Sequence, residues 1–202
     1  MNGIVSTNMR KEGYNYRVNF GVEIPRIKQI AAKYEKSHEL AQALWKEDIR
    51  ECKIIATLLQ PHDSFCKDIA NIWVESINNI EIAEVCCMNL FQHLDYAPSM
   101  SFQWISDSRE FVQVCGYLTI ARLISKKDNM DERTYNEFIS QVMTAVYSNK
   151  YNVVNAAMLA IRKYMQKSEE NAFKICRIVE DMENSDKEVE KALYNMVKSE
   201  VE

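Results

Sequence analysis

The chain has 202 residues, 47% of them hydrophobic and 27% charged, with a formal net charge of −4 at pH 7. This composition supplies one sizeable domain, residues 1–202, with a continuous core, and the acidic balance argues against an indiscriminate polyanion binder. Because only four glycines and three prolines occur, there is little material for hairpins or flexible linkers, and helices are predicted.

The net charge hides a gradient along the chain. Residues 1–60 carry ten Lys and Arg against seven Asp and Glu, residues 61–164 nine against twelve, and residues 165–202 six against ten. A nucleic-acid contact would therefore draw most readily on the first third, although a solvated basic face explains so small an excess equally well.

Targeting and metal signals are absent from the sequence. It has no basic segment followed by a long apolar run at its start and no stretch of ~20 apolar residues, so neither a secretory signal nor a membrane span is predicted. The six cysteines form no C-x-x-C pair, and we expect small reduced thiols in a cytoplasmic protein. The three histidines are isolated from any ligand spacing, and neither a metal nor a cofactor is predicted.

The first third of the chain carries the clearest helix signals. A helix from Arg10 to Val18 is followed by one from Arg26 to Tyr34 behind Pro25, and the apolar stripe of the second ends on Tyr34. Ser37 is the predicted N-cap of the next helix, to Trp45, and Asp48 opens another, to Leu59. The last helix is predicted to bury Cys52, Ile55, Ala56 and Leu59 and to expose Arg50, Glu51 and Lys53.

Further helices are predicted along the rest of the chain, with a connector or single turn at 100–105. Asp131 is the predicted cap of the helix at 132–147. From Ser108 onward, the helices pair with a repeat of ~40 residues, which is typical of HEAT-like units. The prediction is an all-α curved α-solenoid, or α-α superhelix, whose concave wall is made by every second helix. The remaining predicted helices span 65–77, 81–94, 108–125, 151–165, 168–182 and 186–201.

The segment FGVEIPRIKQIAAK, residues 20–33, together with His38 to Trp45 and Arg50 to Leu59, resembles the opening of the AlkD-type DNA alkylation repair family. The likeness is clear over this block and traceable to Tyr164. Members of that family are built of HEAT-like helical pairs and include glycosylases that excise positively charged N-alkylated purines. The resemblance therefore implies a HEAT-like repeat domain related to DNA repair.

The resemblance also locates the family's catalytic positions. Active members use an aromatic and an acid four residues apart, an arginine and a second Trp, which stabilise positive charge on the separating base and sugar. The acid corresponds to Glu84, the candidate catalytic residue, although its extra methylene displaces the carboxylate. The other three substrate-binding positions carry apolar side chains: Ile80, Val114 and Leu159. Glycosylase activity is therefore predicted to be lost or altered.

Neighbouring residues offer partial substitutes. Glu81 and Glu84 share a helix face and could act as a carboxylate pair, but ordinary solvated acids are the simpler interpretation. Trp104 could reach the concave wall and contact a substrate, or it could fill the gap between repeats.

Two classes of function remain open besides excision through Glu84. The first is binding of duplex or damaged DNA, with salt-sensitive contacts to phosphate. The second is a protein adaptor, favoured by the net negative charge and the apolar replacements on the wall. The candidate phosphate contacts are Lys28, Lys33, Lys36, Arg50 and Lys53, with Arg122 and Arg162 on the inner wall.

Overall fold

The computed structural model describes residues 3–11, 14, 16–126 and 130–201. Within these ranges it contains twelve α-helices and no strand beyond one isolated bridge, which confirms the all-α prediction. The chain divides into two compact units, residues 1–96 and 97–202, and the single-domain organisation stays a prediction. No helix in the described ranges has both the length and the hydropathy that a membrane span requires.

The first unit contains six α-helices and one 3-10 helix. Helix α4 is its central element, because α2, α3 and α6 all pack against it. The indole rings of Trp45 and Trp73 stack in the interior with centroids 4.0 Å apart. The helices are α1 (Gly3–Lys11), α2 (Ile24–Ala31), α3 (His38–Lys46), α4 (Arg50–Leu59), α5 (Lys67–Glu75), α6 (Ile80–Asn89) and the 3-10 helix Phe91–His93.

The chain start differs from the prediction. The first helix is Gly3–Lys11, and the predicted helix at 10–18 is wrong in its last part, while its residues 12, 13 and 15 lie outside the described ranges. Val18 is extended and forms a bridge with Ile49, in which the Val18 N–H donates to the Asp48 carbonyl at 3.2 Å. The backbone near Val18 therefore bonds to the start of α4 and not within a helix.

The buried and solvated sides of α4 are also not those predicted. Arg50 and Glu51 are buried, with 4% and 7% of their surface exposed, whereas Cys52 and Ile55 are only partly buried. The backbone at Phe20 and Val22 bonds to the side chains of Arg50 and Glu51 in the first turn of α4, so two residues that an isolated amphipathic helix would solvate are covered.

The second unit contains three stacked helix pairs. Helix α8 packs against both α7 and α10, and α10 also contacts α9 and α11. Asp131 caps α9 by accepting from the Thr134 N–H at 2.9 Å, as predicted. The helices are α7 (Ala97–Ile105), α8 (Glu110–Lys126), α9 (Glu132–Val146), α10 (Tyr151–Met165), α11 (Glu169–Val179), the 3-10 helix Glu180–Met182 and α12 (Glu188–Ser199).

The predicted connector at 100–105 is part of the nine-residue helix α7. Its first turn accommodates Pro98, where a missing N–H costs little. Helix α8 approaches α7 at Gly116, where a Cβ would lie 2.6 Å from Ile105 Cγ2 and 2.9 Å from the Ser101 carbonyl oxygen. Glycine at 116 therefore allows the two backbones to pack closely.

Candidate functional site

The positions that the resemblance assigns to the family's aromatic and acid, Ile80 and Glu84, lie on α6. Asn79 caps this helix by accepting from the Ile82 N–H at 3.0 Å. Ile80 is partly buried and Glu84 is exposed, and their four-residue spacing places them on one side of the helix. This side therefore presents an aliphatic group and a solvated carboxylate where active relatives have an aromatic ring and an acid.

Glu81 belongs to a different arrangement, in which both of its carboxylate oxygens bond to Arg50. Its Oε1 lies 2.6 Å from Arg50 Nη2, and its Oε2 accepts from Arg50 Nε at 2.9 Å. The Tyr16 hydroxyl lies 2.7 Å from the same Oε2. Burial raises the pKa of Tyr16, and the adjacent Glu81 raises it further. The interpretation of Glu81 as an ordinary solvated acid is therefore wrong.

Arg50 is a structural residue at the centre of this arrangement. Its Nη1 donates to the Val22 carbonyl at 2.7 Å and to Glu51 Oε1 at 3.0 Å. Burial by itself lowers the pKa of Arg50, but the hydrogen bonds and charges of Glu81 and Glu51 outweigh it and raise the pKa overall. The buried and fully engaged guanidinium contradicts the predicted phosphate contact from Arg50.

The other basic candidates of the first unit differ in exposure. Lys28, Lys33 and Lys36 are exposed at the end of α2 and in the turn after it. Lys53 is partly buried; its Nζ donates to the Trp45 carbonyl at 3.1 Å and lies 4.7 Å from the Trp45 ring. Desolvation lowers the pKa of Lys53, and the negative charge of Asp48 offsets only part of this effect. The three exposed lysines are therefore the better-placed phosphate contacts.

The same turn contains a residue that the sequence prediction misplaced. Tyr34 was expected on the apolar stripe of α2, but the helix ends at Ala31, and Tyr34 is 59% exposed. The exposure of Tyr34 could have been predicted from its position between Lys33 and Lys36, just before the cap residue Ser37.

Two of the predicted groove residues in the second unit are buried. Val114 is 0% exposed because α7 and α10 cover α8, and Trp104, on α7, is 2% exposed. Neither side chain reaches a surface, so the prediction that they contact a substrate is wrong for both. Trp104 packs in the interior. Leu159 on α10 is partly exposed.

Arg122 and Arg162, which were predicted to lie on the inner wall, are both partly exposed. Arg162 Nε lies 2.7 Å from Glu200 Oε1, and the two side chains form an ion pair. The Nε–H group is not directed at this oxygen, so the contact is not a hydrogen bond. Arg162 thus has a local acidic partner, which leaves Arg122 as the inner-wall candidate without a counter-ion among the described ion pairs.

The second unit also contains an apolar cavity of about 210 Å³ among α7, α8, α9 and α10. Its lining includes Phe102, Leu123, Tyr164 and Lys167. The Lys167 ammonium is held by the Ile124 carbonyl at 2.8 Å. In the described ranges, no group of three or more His, Cys, Asp or Glu side chains is arranged to hold a metal ion.

Comparisons with known proteins agree with this architecture. The sequence model of a family described as "DNA alkylation repair enzyme" matches residues 5–174. Among solved structures, one similar chain comes from "a new family of proteins related to the HEAT-like repeat DNA glycosylases with affinity for branched DNA structures". The match has a TM-score of 0.79 and 13% identity, and covers 98% of this chain and 89% of the other. No curated protein sequence gives a significant match.

Proposed function

Because the chain belongs to the DNA alkylation repair enzyme family, we propose that it binds DNA, and branched DNA in particular, without the base excision performed by the active glycosylases it resembles. The observation that carries the proposal is the family match over residues 5–174, combined with aliphatic side chains at Ile80 and Leu159, two partly exposed positions that the resemblance assigns to catalysis. The protein would then bind DNA with the fold of this family, but it would lack the groups that stabilise a departing base.

The side chains at these positions explain why excision would fail. Ile80 has no aromatic face to attract a cationic base. Val114 is buried, so it contributes neither a charge nor a hydrogen bond at a surface. The exposed carboxylate of Glu84 lies in a high-dielectric environment, where its charge stabilises an oxocarbenium-like sugar far less than in a dry site.

Exposed positive charge supports DNA binding by the first unit. Lys28, Lys33 and Lys36 are exposed, and none of them makes an ion pair among those found in the described ranges. The net charge of −4 disfavours uniform attraction along a duplex, so binding would depend on a local contact. The affinity for branched DNA of the structural relative makes a junction the first DNA to test.

The test offers the purified protein a four-way junction, a plain duplex and a duplex carrying an N-alkylated purine, across a salt series. We expect retention of the junction at low salt, loss of retention as salt rises, and no release of the alkylated base. Base release by the wild type that disappears in Glu84→Gln, but not in the charge-matched Glu137→Gln, would overturn the non-catalytic proposal.

A protein adaptor is the second candidate, and the apolar cavity lined by Phe102, Leu123 and Tyr164 favours it. A cavity of this size accepts one apolar side chain of a bound segment. Failure to retain any of the three DNAs at low salt would reject DNA binding and leave this candidate.

A cytoplasmic location stays part of the proposal. The six cysteines are all free thiols, which is compatible with a reducing compartment.

A further inference from the structure

The turn between α2 and α3, residues 32–37, is fixed by backbone hydrogen bonds at both ends. The Lys33 and Tyr34 N–H groups donate to the Ile30 and Ala31 carbonyls at 3.1 and 3.0 Å. At the other end, the Ser37 N–H donates to the Leu59 carbonyl at 3.0 Å, and the Ser37 hydroxyl caps α3 by accepting from the Leu40 N–H. The turn therefore presents its side chains from a preformed backbone.

Tyr34 projects from this turn into solvent, with 59% of its surface exposed. Within α2, Ile27 and Ala31 are buried, so the helix packs against the unit through residues that precede Tyr34. Leaving so large an aromatic ring exposed has no folding benefit, whereas a ring with only two rotatable side-chain bonds loses little entropy when it binds a partner.

Positively charged residues are frequent in the sequence around Tyr34. Lys28, Lys33 and Lys36 are exposed and Glu35 is the acid among them, so residues 28–36 carry a net charge of +2. Two lysines of the second unit are engaged locally, in contrast: Lys174 pairs with Glu170 and Lys187 with Glu190, at 2.7 and 2.9 Å.

We propose that Lys33, Tyr34 and Lys36 form a contact surface for DNA in which Tyr34 stacks on an unpaired base while the two lysines contact flanking phosphates; this inference rests on the proposed DNA binding. An aromatic face next to ammonium groups is the combination that binds single-stranded nucleic acid. Within a continuous duplex both faces of every base are covered by neighbours, and a branch point or single-stranded arm exposes one. The surface thus distinguishes a branch from an intact duplex.

Tyr151 provides a matched control in the second unit. It is 76% exposed and also follows a lysine, but the ammonium of Lys150 is occupied by the Ser108 carbonyl and by Gln113 Oε1. Tyr151 therefore has the exposure of Tyr34 without an available adjacent charge.

The experiment measures the affinity of the full chain for a forked duplex with single-stranded arms and for a blunt duplex, by anisotropy of labelled DNA. Tyr34→Leu is expected to weaken fork binding about tenfold and to leave blunt-duplex binding unchanged, while Tyr34→Phe, which keeps the ring, binds the fork like wild type. A 2-aminopurine base in the arm reports stacking directly: the wild type and Tyr34→Phe quench it, and Tyr34→Leu does not.

The charge component is tested with Lys33→Gln/Lys36→Gln, which is expected to reduce the salt dependence of fork binding by about 1.4 in log–log slope, the value for two single-strand contacts. The control Lys174→Gln/Lys187→Gln removes the same charge and should leave the slope unaltered. Equal weakening by Tyr34→Leu and Tyr151→Leu, or none by Tyr34→Leu while the wild type binds the fork, overturns the inference. A wild type that binds neither DNA refutes the proposed function itself.

Discussion

Arg50 and Glu81, which are 31 residues apart on α4 and α6, form a two-point ion pair in the interior of the first unit. Arg50 Nη2 lies 2.6 Å from Glu81 Oε1, and Arg50 Nε lies 2.9 Å from Oε2. The side chains are only 4% and 16% exposed. The pair joins the two helices and, through Val22 and Tyr16, holds the preceding segment of chain against them.

Arg50→Met is expected to lower the free energy of unfolding by about 3–5 kcal/mol, because it leaves the carboxylates of Glu81 and Glu51 without their cation. Urea denaturation followed by circular dichroism measures the change. The control is Arg109→Gln, which breaks an exposed pair with Asp107 and should cost no more than about 1 kcal/mol. Equal losses in the two variants would contradict a structural role for the buried pair.

A companion variant distinguishes two effects: the loss of the attraction between Arg50 and Glu81, and the cost of leaving the Glu81 charge buried and unpaired. Arg50→Met combined with Glu81→Leu replaces both charges by apolar groups, so it should be more stable than Arg50→Met alone. The same denaturation measurement applies. A double variant that loses the sum of the two single losses would mean that the residues act independently.

Gly116→Ala is expected to destabilise the second unit by about 1–3 kcal/mol, since the added methyl overlaps Ile105 and the Ser101 carbonyl and forces α7 away from α8. Gly3→Ala is the matched control, because nothing lies within 4 Å of a Cβ at that position. Thermal unfolding of both variants measures the difference, and unchanged stability in Gly116→Ala would reject the close approach.

Val114→Arg tests the placement of the family's arginine on α8. Val114 is fully buried, so a guanidinium there has no counter-ion and should prevent folding or cost several kcal/mol. Gln113 is partly exposed, and Gln113→Arg should fold. Yield of folded protein and circular dichroism distinguish the two, and a stable Val114→Arg protein would restore the predicted groove position.

Asp107 provides a prediction about pH. Hydrogen bonds from Arg109 lower its pKa from 3.8 to about 2. Since the folded pKa is the depressed one, the stabilisation is present above about pH 4, the ordinary range for Asp, and is lost as the pH falls towards 2. NMR titration of the Asp107 carboxyl should give a midpoint near 2, and Arg109→Gln should move it back towards the ordinary value. An unshifted midpoint in the wild type would contradict the pairing.

The helix boundaries that follow from local chemistry could be predicted from the sequence. Ser37 and Asp131 cap α3 and α9 because each side chain bonds to an N–H three residues ahead. The all-α repeat architecture likewise followed from helical spacing and from the family resemblance, and both the family match and the structural relative support it.

The residues that were misplaced depend on contacts distant in sequence. Arg50 was assigned to solvent by helical periodicity, but its partner Glu81 lies on another helix. Tyr34 was assigned to the core because the helix was predicted to continue to Tyr34, whereas α2 ends three residues earlier, at Ala31. Val114 is buried by helices whose packing no single-helix pattern specifies, whereas the burial of Trp104 agrees with the alternative in which it fills space between helices. Exposure of a candidate site residue was therefore the least predictable quantity.

The hydrogen bonds that Glu51 accepts from the Phe20 and Val22 backbone make the stretch before α2 an integral part of the first unit. A truncated protein starting at Ile24 would carry Arg50, Glu51 and Glu81 with water in place of their present covering. Such a shortened chain should be prone to aggregation and proteolysis, so tests of the proposed DNA binding should keep this leading stretch.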